Sequence, residues 1–212
     1  MADTLKQMAE ALYNGDAAKV SELVRAALSA GMTPGQVLNE GLIEGMNAVG
    51  KDFRDGILFV PEVLIAARAM QAGMNILKPL LAQADVKAIG KFAIGTVKGD
   101  LHDIGKNLVS MMMEGAGFEV VNLGTDVPAD KFVAAVKDQG ANILGMSALL
   151  TTTMVEMKGV IEALEEAGLR DKVKVMIGGA PVTEKFAKEI GADGYAPNAS
   201  AAVEKAKQLM GR

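Results

Sequence analysis

The chain has 212 residues, half of them hydrophobic, a net charge of -4 and a single histidine, which is enough apolar material for one large or two small packed domains. Acidic and basic residues are interspersed and there are only six Phe and two Tyr, so the basic stripe and stacking platforms of a nucleic-acid surface are missing. Cysteine is absent, which excludes disulfides, thiolate metal sites, iron–sulfur clusters and cysteine nucleophiles.

Residues 1 to about 88 carry helical periodicity only. It runs through Leu5, Met8 and Leu12; Val20, Leu23, Val24, Ala27 and Leu28; Leu42, Met46, Val49 and Phe53; then Val60, Val63, Leu64, Ala67, Met74, Leu77 and Leu81, and predicts four helices. Thr33-Pro34 reads as an N-cap followed by proline at the first helical position, Pro61 opens the last helix in the same way, and Pro79 is expected to kink or stop it. Short connections between such helices favour an antiparallel bundle. The leading run Met1-Ala2-Asp3-Thr4-Leu5-Lys6 has no basic n-region, and no stretch approaches the roughly 20 apolar residues of a spanning helix. No membrane partner is expected, and cytoplasmic residence is the expectation.

From Lys91 the pattern changes. Short β-rich runs at Phe92 to Val97, Phe118 to Leu123, Asn142 to Ser147, Val173 to Ile177 and Gly194-Tyr195 alternate with helical runs starting near Gly105, Ala129, Thr153 and Thr183 and after Asn198. That alternation predicts an α/β domain with a doubly wound, five-stranded parallel sheet of the flavodoxin or Rossmann kind. Residues 1–88 and 89–212 are thus expected to be separate domains, with Gln83 to Gly90 as the linker and hinge. Met111-Met112-Met113 is expected to fill core gaps, as unbranched Met commonly does.

The lone His102 falls in Gly99-Asp100-Leu101-His102-Asp103-Ile104-Gly105-Lys106, between the first strand and its helix. The C-terminal edge of a parallel sheet is where such folds collect ligands, and a carboxylate two residues before an imidazole can hold one tautomer. The Walker spacing fails, because five residues rather than four separate Gly99 from Gly105 and Asn107 follows Lys106. There is no GxGxxG, no GxSxG elbow for a Ser-His-Asp hydrolase, and too few nitrogen or sulfur donors for zinc. Three further segments are expected at the same edge: Ser147 to Thr153 after the third strand, Gly178-Gly179 after the fourth and Tyr195-Ala196-Pro197-Asn198 after the fifth. The hydroxyls could orient a histidine or cap a helix, and the glycine pair could admit a flat ligand or simply turn the chain. His102 itself could be no more than a loop or cap residue of a binding module.

In order along the chain, Asp100-Leu101-His102-Asp103-Ile104-Gly105, Ser147-Ala148-Leu149 and Gly178-Gly179 match the DxHxxG, SxL and GG pattern of cobalamin-binding domains of the methionine synthase type. The first half resembles that family's helical cap in Gly45-Met46-Asn47-Ala48-Val49-Gly50 and in Phe53 through Pro61-Glu62-Val63. The resemblance covers nearly the whole chain and is closest to stand-alone corrinoid proteins of anaerobic methyltransferase systems. It implies a cobalamin whose cobalt takes His102 as lower axial ligand in place of the cofactor's own dimethylbenzimidazole. Asp100 is implied to accept from the other ring nitrogen, and Thr153 stands where the family places a serine behind the aspartate. Leu101, Asp103, Ile104, Gly105, Ser147, Leu149, Thr151, Gly178 and Gly179 are implied to surround the cofactor or its nucleotide tail, with Tyr195, Asn198 and Ala199 nearby. Phe53 and Val60, which periodicity alone assigns to bundle core, match residues covering the methyl-bearing face, and Val60 replaces a larger leucine there.

The function implied is a methyl carrier with no independent catalysis, cycling between Co(I) and methyl-Co(III), with the His102, Asp100 and Thr153 relay taking up a proton when His102 leaves cobalt. The partners implied are a substrate:corrinoid methyltransferase, a second methyltransferase that accepts the methyl group, and a reductive activase. A cobalamin mutase subunit would share the tail pocket but would need a barrel domain. A cobalamin-sensing regulator would need a signalling or DNA-reading module, and the first half offers no basic recognition helix.

Overall fold

The computed structural model describes residues 2–83 and 88–211, which divide into two compact units, one up to Ala88 with Gly115–Gly117 and one of Ile89–Glu114 with the residues from Phe118 on. Half of the expected linker, residues 84–87, lies outside the described residues.

The first unit is helical: α1 (Ala2–Tyr13), α2 (Ala17–Ser29), α3 (Pro34–Gln36), a π-helical stretch (Val37–Ile43), α4 (Glu44–Arg54) and α5 (Val60–Gln83). Asp16 caps α2 through the Lys19 amide. Thr33 and Gln36 cap each other reciprocally with Pro34 at the first position, as the sequence suggests. α3, the π stretch and α4 run on without interruption, so the described residues form four rods. α2 packs on α5, and α1 packs on α2, on α4 and on the π stretch, with Met8, Leu12, Val20, Leu42 and Leu77 fully buried. Two features differ from expectation. The π widening is invisible to a search for 3.6-residue periodicity, and α5 continues through Pro79 to Gln83. A proline inside a helix costs about 3 kcal/mol, but Leu77 and Leu81 on either side of it are buried, and their packing offsets the missing hydrogen bond.

The second unit runs β1 (Lys91–Val97), α6 (Ile104–Gly115), β2 (Glu119–Val127), α7 (Ala129–Lys137), β3 (Ile143–Ser147), α8 (Glu156–Glu166), β4 (Lys174–Gly178), α9 (Glu184–Ile190), β5 (Gly194–Tyr195) and α10 (Ala199–Leu209). The strands are parallel in the order β2-β1-β3-β4-β5, the doubly wound sheet that the alternation predicts. Its core joins Val97, Phe132, Leu144, Met157, Leu164 and Val175, and Met112 and Met113 are buried as expected for core methionines. β2 extends past Leu123 to Val127 through two register shifts against β1. α8 begins at Glu156 rather than near Thr153, because residues 151–155 form turns. Among the described residues no helix is long and apolar enough to cross a membrane.

The strand order reverses between β1 and β3, and the crevice at such a switch point is where open α/β sheets hold ligands. The loop after β1 carries Asp100 and His102. The loop after β3 carries Leu149 to Thr153. The fold therefore brings the two motif segments to one place.

Candidate functional site

Asp100 is the centre of the site. Its side chain is fully buried, which by itself is unfavourable for a charge, yet every lone pair direction is served. Oδ2 accepts from the Thr153 hydroxyl at 2.7 Å, from the Leu149 amide at 2.8 Å and from the Leu150 amide at 3.4 Å. Oδ1 lies 2.7 Å from His102 Nδ1 and accepts from the His102 amide at 3.1 Å. Burial pushes this carboxyl up, but the hydrogen bonds from Thr153, Leu149 and His102 together outweigh it and hold the group well below the usual carboxylate range. Asp100 is therefore an anion, and an anionic carboxylate only accepts; His102 Nδ1 must carry the proton.

In the neutral ring that assignment puts the free lone pair on His102 Nε2. The side chain is 50 % exposed, and its loop is held from beneath, where the buried Thr96 donates its hydroxyl to the His102 carbonyl at 2.7 Å. The chain neighbours Leu101 and Ile104 are 74 % and 77 % exposed, an unusual placement for two large aliphatic residues. Gly105 is exposed, and Asp103 accepts from Asn107 within the first turn of α6.

The other expected residues are distributed as follows. Ser147 pairs in register with Thr96 on one side and Gly178 on the other, so the ends of β1, β3 and β4 form one row. Leu149 and Thr151 are exposed beyond it. Gly178 is followed by Gly179 at φ 127, and a Cβ on Gly179 would lie 1.8 Å from the Ala148 carbonyl oxygen. The close approach there is first of all of the chain to itself. Tyr195 ends β5 half-buried, Asn198 spends its side chain capping α10 through the Ala201 amide at 2.8 Å, and Ala199 is buried. Phe53 and Val60 are half-buried in the helical unit, on either side of the turn between α4 and α5. Residues that sequence reading did not single out include Thr96, which looks like any strand residue until its hydroxyl is seen under His102, and the buried Lys106. The Lys106 ammonium donates to Asn107 and to Asn122 on β2.

A lone imidazole cannot cage a bare ion, and no group of three or more His, Cys, Asp or Glu side chains is clustered for metal binding among the described residues. One oriented nitrogen suits a metal whose other positions are already filled by a macrocycle. Residues 90–204 match the model of the B12 binding domain, and residues 4–78 match a second model of the same description. The chain is 46 % identical over 209 residues to dimethylamine corrinoid protein 2 of Methanosarcina acetivorans, covering 98 % of this chain and 96 % of that one. It is 42 % identical over 211 residues to a corrinoid protein of Desulfitobacterium hafniense, covering 98 % of each. Among solved structures it is similar to the methanol:cobalamin methyltransferase complex MtaBC of Methanosarcina barkeri, with a TM-score of 0.89 at 33 % identity over 99 % of this chain and 80 % of that one. It is also similar to a cobalamin-binding protein of D. hafniense, with a TM-score of 0.80 at 34 % identity over 97 % and 98 % of the two chains. With B12-binding models matching both halves and relatives matching it almost end to end, the chain belongs to the family of B12-binding corrinoid proteins, and its cofactor is a cobalamin.

Proposed function

We propose that this chain is the methyl carrier of a methylamine-class methyltransferase system, and that it binds its corrinoid through His102 in place of the cofactor's own dimethylbenzimidazole. The observation that carries the reading is the Asp100–His102 pair, which fixes the ring with Nε2 outward. When bound, the corrinoid supplies a cobalt that cycles between Co(I) and Co(III) as it takes up and gives up the methyl group. The protein supplies tuning: Asp100 makes the imidazole a stronger donor, and Thr153 holds Asp100 in place. Because the bonds from Thr153 and Leu149 keep Asp100 ionised, any proton that the pair took up would be held at His102 Nε2.

Residues 89–212 are the cobalamin-binding domain in this reading, and 1–88 the cap. Ser147, Leu149, Thr151, Gly178 and Gly179 line the space for the nucleotide tail, Tyr195, Asn198 and Ala199 lie beside it, and Phe53 and Val60 cover the methyl-bearing face. The partners are a methylamine:corrinoid methyltransferase, a second methyltransferase and a reductive activase. Relatives named for dimethylamine at 46–47 % identity support the methylamine class over methanol, whose named complex is 33 % identical.

Two measurements test this. Absorption spectra of the cobalamin-reconstituted protein should show histidine ligation in the wild type and lose it in His102→Ala; identical spectra overturn the axial role. The Co(I) form should be methylated from dimethylamine by a methylamine:corrinoid methyltransferase, and methylation from methanol alone would move the chain to another substrate class.

A further inference from the structure

β2 carries two more residues than β1 over the stretch where they pair. Ile94 faces Asn122 and Val97 faces Val127, and the surplus appears as two register shifts. Bulges of this kind re-aim side chains at the rim of a sheet, and here the re-aimed residue is Asp126. It stands at φ 52, the one non-glycine left-handed residue among those described, in a conformation that aspartate and asparagine tolerate better than most residues.

Asp126 uses that conformation to clasp the loop after β1. Its Oδ1 accepts from the Gly99 amide at 2.7 Å, and its own amide donates to the Asp100 carbonyl at 3.0 Å. On the other side the Asp100 amide donates to the Val97 carbonyl at 3.1 Å. The main chain of Asp100 is thus pinned from both directions, one of them through Asp126, while Gly99 between them takes φ 80.

We propose that Asp126 is a positioning residue for the His102–Asp100 pair: its carboxylate oxygen, acting as a hydrogen-bond acceptor for Gly99, sets the path of the loop so that Asp100 Oδ1 meets His102 Nδ1. Its consequence for cobalt rests on the axial role proposed for His102, but the arrangement itself belongs to the cofactor-free protein. Asparagine keeps the acceptor and the tolerance for left-handed backbone. Glycine keeps the backbone and removes the acceptor.

Because His102 is the only histidine, every imidazole signal in the protein belongs to it. Long-range proton–nitrogen NMR of the cofactor-free protein in alkaline buffer should show the Nδ1–H tautomer in the wild type and in Asp126→Asn. Asp126→Gly should shift toward the Nε2–H form that predominates in free histidine, with its circular dichroism melt confirming that it is folded. After reconstitution of protein labelled with 15N-histidine, the histidine-ligated fraction, read from the 15N doublet splitting in the Co(II) electron paramagnetic resonance spectrum, should fall several-fold in Asp126→Gly and stay within about twofold in Asp126→Asn. Asp126→Gly that retains the Nδ1–H tautomer overturns the proposal, and so does Asp126→Asn that behaves like Asp126→Gly. A wild type that holds the tautomer but shows no 15N-histidine splitting overturns the axial role of His102 and leaves this inference standing.

Discussion

Thr153 Oγ1 lies 2.7 Å from Asp100 Oδ2, across 53 residues of sequence and on the side of the carboxylate away from His102. The hydroxyl has one proton and a second acceptor within reach, the Leu150 carbonyl at 3.1 Å. The shorter distance and the ionised partner favour Asp100. Thr153 is buried, so water cannot replace it. Thr153→Val, which keeps the volume and removes the hydroxyl, should destabilise the protein by about 1.5–3 kcal/mol, the range for a buried bond to a charged group. Thr153→Ser should recover most of that. Urea midpoints of the three proteins are the measurement.

Gly179→Ala should be far more damaging than Gly178→Ala. The first would set a Cβ 1.8 Å from the Ala148 carbonyl oxygen at φ 127, whereas the second would meet the Ala196 carbonyl oxygen at 3.0 Å. Neither obstacle is a flexible side-chain end, so the larger overlap requires the loop after β3 to move. A loss of about 3 kcal/mol or more is expected for Gly179→Ala, read as a fall in Tm or as insoluble expression. Gly178→Ala should remain folded.

Asp100 also gives acid sensitivity a definite sign. A carboxyl whose folded pKa lies below its unfolded value binds fewer protons folded than unfolded, so its contribution is complete above the ordinary carboxylate pKa of about 3.9 and shrinks as pH falls below it. Asp100→Asn should be less stable than the wild type at pH 7, and the gap should narrow steadily between about pH 5 and pH 2. Chemical denaturation of both proteins across that range checks it; a gap independent of pH would show that Asp100 is not the ionised, hydrogen-bonded group described here.

Lys106 gives the same sign from the opposite cause, and in an alkaline window. Burial pushes its ammonium pKa down, and nearby Asp103 only partly opposes this; its direct partners are the neutral amides of Asn107 and Asn122. The folded state therefore holds this proton less firmly than the unfolded chain. Relative to Lys106→Met, the wild type should gain stability as pH rises toward the ordinary lysine value of about 10.4, where the unfolded side chain also deprotonates. Paired denaturation curves at about pH 7 and pH 10 test this.

The sequence by itself determined both kinds of unit and their order. Hydrophobic period, caps and the spacing of short β-rich runs are local signals, and Thr33-Pro34, Val20 to Leu28 and the strand at Phe92 to Val97 could be read without neighbours. It also determined that Asp100, His102, Ser147 and Gly178 stand at the C-terminal ends of strands, because that follows from alternation alone. Tertiary structure decided what those residues do to one another. Thr153 could equally have capped a helix, and only the β1/β3 switch point sets its hydroxyl against Asp100. The glycine pair could have been a ligand platform alone, and only packing reveals the Ala148 carbonyl above Gly179. Asp126 carried no motif, since its role depends on a bulge that arises when two strands of unequal length pair. Such relationships depend on distances between segments remote in the chain, and no local periodicity records them. The solitary imidazole was visible at once, but which of its nitrogens is engaged was set by a buried carboxylate that hydrogen bonds from Thr153, Leu149 and His102 keep ionised.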